Sequence, residues 1–223
     1  MGLPVGRGHM LKLSAWLLLV CLPAAAQNKV TEPDARSRPQ SAHGKQYLIS
    51  LLEDTMRDYL AAAGKATEAQ WQFKPAPDRW SLAEVTEHLT LSELQLYYEV
   101  TMAFNAPARP DLRSQIAGND SKAIDFILEE GKHVAAKMVT PLGSGANKEI
   151  LLRALRVRRE ASIELLRGKT EEELRTHMVY KDRSSVTPVR DAYQEFLVFA
   201  LHWTRHMRQV DSIQGDRNYP RKE

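Results

Sequence analysis

The chain has 223 residues, with 31 lysines and arginines against 28 acidic side chains and a single cysteine. That near balance, without a basic stripe interleaved with aromatics, excludes a nucleic-acid-binding surface. One cysteine, Cys21, excludes an internal disulfide framework and any metal site built on several thiolates.

The opening stretch, MGLPVGRGHMLKLSAWLLLVCLPAAAQNKV, has a basic start, an apolar run from Leu13 to Leu22 and small residues before Gln27. This is the pattern of a signal peptide over 1–26, with Ala24 and Ala26 supplying the A-x-A site, and it predicts a periplasmic or secreted protein. The run is too short for a membrane span, so no stable membrane insertion is expected after cleavage. Met1 and Met10 both stand as start residues, and Val20 ahead of Cys21 argues against a lipoprotein anchor. Cleavage removes Cys21, Arg7, Lys12 and His9, so any metal in the mature domain must rely on histidine, carboxylate and water. Residues 27–44, which include His43, are polar and proline-containing and read as a flexible tether.

The first helix is predicted over 45–64, where Tyr47, Leu48, Leu51, Leu52, Met56, Tyr59 and Leu60 recur at helical spacing before Gly64. A connector with Trp71, Phe73, Pro75 and Pro77 follows. The second helix begins at Ser81: Ser81 with Glu84 forms a capping box and Trp80 with Val85 a hydrophobic staple. Its apolar face is Leu82, Val85, Leu89, Leu96 and Val100, and Pro107 and Pro110 end it. Residues 105–146 are less regular, with one helix expected around SKAIDFILEEGKHVAAKMV before the breaker PLGSGAN. The third helix, KEILLRALRVRREASIELLRG, presents Ile150, Leu151, Leu155, Val157, Ile163, Leu165 and Leu166 to the core, with Arg153, Arg156, Arg158 and Arg159 on its wet side. TEEELRTHMVY reads as a short helical turn, KDRSSVTPV as a loop, and 190–215 as the fourth helix; 216–223 is a polar tail. No strand-like alternation appears. The fold class predicted is all-α: an antiparallel four-helix bundle over 45–215 with one long crossover connection between helices two and three.

The fourth helix carries His202 and His206 one turn apart at the border of its apolar stripe, so both rings can point at one spot. His88 lies on the flank of the second helix's stripe and offers a third imidazole. Glu195 and Gln209 come round to the same border as the histidine pair and are candidates to orient the ligand rings. The capping box accounts for Glu84. Trp80 and Trp203 read as core residues, Trp203 also as a wall for a pocket, and His133 and His177, without a partner at ligand spacing, as solvent-facing.

The stretch RWSLAEVTEHL, with W-S-x-x-E-x-x-x-H, and the later HWTRHMRQV, with H-x-x-x-H followed by R-Q, resemble the two signature segments of the DinB-like superfamily, and the likeness extends over about residues 45 to 215. The resemblance implies a bundle in which His88, His202 and His206 bind one divalent metal. It also implies a link to thiol-dependent S-transferases and a thiol-dependent maleylpyruvate isomerase, although many members have no assigned reaction and DNA binding is not implied. The expected function is therefore an exported metal protein that transfers a thiol to a small electrophile. A metal-dependent hydrolase and a non-catalytic metal-binding or stress-response module are the alternatives. Zinc or nickel is the expected ion, with manganese and iron open. The substrate class and a homodimer also stay open.

Overall fold

The computed structural model describes residues 1–2, 44–129, 135–143, 145, 147–181 and 187–221. The chain divides into two units, Met1–Glu32 and Pro33–Glu223, and the helical domain lies in the second. The expected signal peptide beyond Gly2, the tether up to His43, and His133 lie outside the described residues. None of the described helices is long and apolar enough to cross a membrane.

Helix α1 (Lys45–Gly64) buries Leu48, Ile49, Leu52, Tyr59 and Ala63 along one face. Its amino end has no side-chain cap; Lys45 instead donates its backbone N–H to Glu171 and its Nζ to the Lys169 carbonyl at 2.7 Å. The connector then makes one short helix, α2 (Glu68–Gln72), started by a capping box between Thr67 and Gln70 and anchored by the fully buried Trp71. Five residues are too few to show a helical period, so only the T-x-x-Q pattern signals it.

Helix α3 (Leu82–Asn105) starts where the capping box places it. Glu84 donates its backbone N–H to Ser81 Oγ at 3.2 Å, Ser81 donates its own to Glu84 Oε2 at 2.8 Å, and Lys74 adds an ion pair to Glu84 Oε1 at 2.7 Å. Ala106 is extended ahead of Pro107, which ends the helix. In the crossover, α4 (Asn119–Leu128) is shorter than the sequence suggests. It buries Ala123, Ile124, Ile127 and Leu128, but Glu129 has already turned to ψ 135°, and 137–139 form a separate 3-10 turn. The apolar period stops where Glu129, Glu130 and Gly131 follow in the sequence.

Helix α5 (Lys148–Arg167), capped by Asn147, faces the core with Leu155, Arg159, Ser162, Ile163 and Leu166. This corrects the expected face: Ile150 and Val157 are 65% and 56% exposed, and Arg159, expected on the wet side, is 0% exposed. The expected helical turn TEEELRTHMVY splits into α6 (Glu171–Thr176) and a strand β1 (Met178–Tyr180), which pairs antiparallel with β2 (Val189–Asp191) in the register Met178 to Asp191 and Tyr180 to Val189. Three-residue strands leave no alternation to detect. Arg190 and Asp191 therefore belong to β2 and the cap of α7 (Ala192–Gln214), not to the helix itself. Beyond Gly215 the expected polar tail returns onto α2, with Tyr219 edge-on to Phe73 and Gln70 donating to the Pro220 carbonyl at 2.7 Å.

The domain is a four-helix bundle in which α1 and α3 each pack against both α5 and α7. One end of the core gathers Tyr59 and Ala63 from late α1, Leu82, Val85 and Leu89 from early α3, Leu155 from α5, and Trp203, Met207, Val210 and Ile213 from late α7. The other end joins early α1, late α3 and late α5 to the first half of α7. The crossover thus lets α3 and α5 run the same way, and the antiparallel neighbours are α1 with α5 and α3 with α7. On its way α4 packs along α7, closing a side that would otherwise face water. Replacing Ser81 by alanine is expected to destabilise the domain by about 1 kcal/mol through loss of the N-cap bond. Urea unfolding tests this, and an unchanged midpoint would mean that the cap does not hold the start of α3.

Candidate metal centre

Because α3 and α7 are antiparallel neighbours, a residue two turns into α3 lies level with the middle of α7. His88 sits two turns after the Ser81 cap, on the side of α3 that meets α7; it is 4% exposed, His206 is 5% exposed and His202 is half-buried. Their ligand atoms all lie within 4.8 Å of one another. His202 Nε2 is 3.2 Å from His88 Nε2 and 3.0 Å from His206 Nε2.

The outer nitrogens decide which face inward. His88 Nδ1 lies 2.7 Å from the Val139 carbonyl and His206 Nδ1 lies 2.8 Å from Gln209 Oε1. Both oxygens can only accept, so each Nδ1 carries its hydrogen and each Nε2 presents a lone pair. A proton on His202 Nε2 can be directed at only one of those lone pairs. A cation among the three would be met by all of them, and nitrogens bound at about 2.0–2.1 Å to a tetrahedral ion lie roughly 3.3 Å apart. The residues therefore fit a single metal ion without a rearrangement of the helices.

The electrostatics agree with neutral rings. His88 is lowered by burial, partly opposed by its bond to the Val139 carbonyl. Burial pushes His206 down to about 3, with a further contribution from His88. His202 falls well below the ordinary imidazole range through burial, then through His206 and His88, and to a lesser degree through Arg159 and Arg205. Imidazole must be neutral to bind a metal, and this environment keeps it so.

The residues around the triad differ in part from expectation. Gln209 meets His206 directly. Glu195 does not join them: its buried carboxylate is taken by Arg190 at 3.0 Å and Lys181 at 2.9 Å, which outweigh burial and hold it below the usual carboxylate range. It lies on the right border of α7 but almost two turns too early. Trp203 is fully buried and donates from Nε1 to Glu93 Oε1 at 2.8 Å, so it belongs to the core. The wall is Trp80, half-buried, with its ring 4.9 Å from that of His88 and stacked 6.4 Å from that of His206. His177 is not simply solvent-facing, since its Nδ1 bonds the Ala103 carbonyl at 3.0 Å.

Two buried charges depart from the sequence reading, which takes no account of Glu93 and puts Arg159 on the wet side of its helix. Glu93 and Arg159 are 1% and 0% exposed at the side chain and form an ion pair of 3.0 Å. Both interrupt an apolar stripe, Glu93 between Leu89 and Leu96 and Arg159 between Leu155 and Ile163. A charge at a stripe position was the available signal. A cleft of about 130 Å³ at the start of α3, bordered by Lys74, Glu84, Glu87, Gly143 and Leu151, has none of the three histidines in its wall.

Comparisons with known proteins agree with this architecture. No curated protein matches the chain. Among solved structures, YfiT from Bacillus subtilis, described as a probable metal-dependent hydrolase with an unusual four-helix bundle topology, superposes with a TM-score of 0.56 at 16% identity. The match covers 82% of this chain and 95% of that one. At that identity the likeness establishes the fold alone. Residues 51–210 match the model of the DinB superfamily, and the chain belongs to that superfamily.

Proposed function

We propose that the protein is an exported metal-dependent hydrolase of a small molecule, with one divalent ion held by His88, His202 and His206. The observation that carries this reading is the convergence of three imidazole nitrogens, two of them fixed as lone-pair donors by Val139 and Gln209. The description of YfiT supports hydrolysis over the other chemistries. Three nitrogen ligands suit zinc or nickel best, with manganese and iron less favoured. A bound ion would supply Lewis acidity and a water of lowered pKa.

The chain's own contribution is binding and exclusion of water. The histidines are the ligands, Gln209 fixes the tautomer of His206 and the Val139 carbonyl that of His88, and Trp80 covers the side of the site formed by His88 and His206. Glu84, Glu93 and Glu195 are each committed to other partners, so none of them is assigned as general base. Thiol transfer is the second reading, supported by the signature segments around His88 and His202, and it gains weight if the protein resides where low-molecular-weight thiols are abundant. Export rests on the leader sequence. N-terminal sequencing is expected to find Gln27 first, and an intact amino terminus from cytoplasm would favour transfer.

Elemental analysis of purified protein is expected to give about one divalent ion per chain, and His206→Ala should lose most of it while keeping its helical circular dichroism. Retention of the ion at wild-type stoichiometry would sink the three-histidine site. A panel of small esters and amides, tried with zinc- and nickel-loaded protein, tests the reaction. Turnover should vanish with a chelator and in His206→Ala, and thiol-dependent turnover alone would select the second reading.

The lowered pKa of the rings adds a pH dependence in the metal-free protein. Folded His88, His202 and His206 resist protonation, whereas the unfolded chain takes up protons below about 6.5. Their contribution to stability is therefore complete above that pH and is lost as pH falls through it, for His206 toward about 3. The Tm of metal-free protein should drop between pH 7.5 and 5, and His206→Ala should flatten that drop. An equal slope in both proteins would contradict the buried neutral ring.

A further inference from the structure

The core carries an ion pair that the metal reading does not use. Arg159 reaches from α5 to α7, with its guanidinium carbon 4.1 Å from the centre of the Trp203 ring and its Nη2 donating to the Phe199 carbonyl at 3.2 Å. Its charge is met by Glu93 of α3 at 3.0 Å, while its buried Nε and Nη1 have no hydrogen-bond partner among the described residues. Glu93 also accepts from the Trp203 indole at 2.8 Å and lies 3.3 Å from the Ser162 hydroxyl. Apolar residues of the same volume in place of such a pair often leave stability unchanged or improve it. Stability alone therefore gives little reason for the pair.

Position gives a better one. Trp203 follows His202 in the chain and Phe199 precedes it by one turn, so the guanidinium of Arg159 lies against the stretch of α7 that carries His202. The three ligands are neutral and bring no negative charge to a divalent ion. In a low-dielectric core an uncompensated guanidinium beside them would repel that ion. We infer that Glu93 is a positioning residue of the metal centre: by cancelling the charge of Arg159 and holding the Trp203 indole, it makes the neighbourhood of His202 tolerant of a cation. This rests on the three-histidine reading above.

The test is zinc affinity, measured by competition with a chromophoric chelator on full-length mature protein, beside helical circular dichroism and Tm. Glu93→Gln leaves Arg159 unbalanced and should weaken zinc binding tenfold or more. Arg159→Met should bind at least as tightly as wild type, and the double variant should return to within about threefold of it. Glu93→Asp, which keeps the charge, should rescue most of the loss. If Glu93→Gln does not fold, Arg159→Met and Glu93→Asp still decide, because a weakened Arg159→Met or an Asp variant without zinc overturns the inference. Equal zinc affinity in wild type and Glu93→Gln, with only Tm lowered, makes the pair purely structural. A wild type that takes up no zinc, nickel, manganese or iron defeats the metal reading itself and this inference with it.

Discussion

The first half of helix α7 has almost no face left for water. Residues 192–201 are buried without a break, because α1 and α3 pack against it as neighbours in the bundle and α4, from the crossover, packs along it as well. A helix buried all round cannot leave a polar side chain without a partner, since each orphaned group costs several tenths to a few kcal/mol. Yet α7 carries Gln194, Glu195, Thr204 and His206 among its buried residues. Much of the surrounding architecture consists of what those groups need. Gln194 bonds Asp120 of α4 and the Ile116 carbonyl, while the Asp191 cap pairs with Arg175, whose guanidinium lies 3.6 Å from the centre of the Tyr193 ring. The short β1–β2 ladder brings Arg190 and the Lys181 segment to Glu195, and Lys181 also meets Glu99 of α3. Trp203 finds Glu93, which brings Arg159 from α5.

The histidines end this series differently. Every other buried polar group on α7 whose bonds are described above meets a partner of complementary charge or hydrogen-bonding sense. His88, His202 and His206 meet one another through the same nitrogen, with two lone pairs already committed to the shared space. Such an arrangement is poorly satisfied by protein atoms alone. The topology makes it possible: the crossover sets α3 antiparallel to α7, and the Val139 carbonyl at the end of the crossover supplies the oxygen that fixes the His88 tautomer.

The sequence spoke clearly where a feature repeats or where a cap has its own pattern. The stripe from Leu82 to Val100, the Ser81 and Glu84 pair and the spacing of His202 and His206 each define a register, and together they place His88 level with the pair. It spoke weakly where an element is shorter than its period, as in α2 and the three-residue strands, and where a contact is made by backbone, as at Val139. The error over Arg159 has another origin. Counting it with Arg153, Arg156 and Arg158 treated the arginines as one solvated group, although helical geometry puts 159 in line with 155, 162, 163 and 166 on the inner face. Glu195 failed for the converse reason: angular position was right, but axial distance along α7 placed Lys181 and Arg190 nearer than the histidines.

The supports of the three rings are unequal, and the inequality has a mechanical consequence. His88 is held by a main-chain carbonyl from the crossover and His206 by Gln209 on its own helix, while Trp80 packs on both. His202 has no bond to its Nδ1 among the described residues and is the half-buried member of the set. A ring whose outer nitrogen is held has one productive orientation; a ring without that bond can turn by about 30° at a cost of about 0.5–1.5 kcal/mol. Adjustment among the three rings is thus concentrated in His202, the one nearest to solvent and next in the chain to the residue stacked on Arg159. Two rigid nitrogens define where an ion would sit, and the third can follow it.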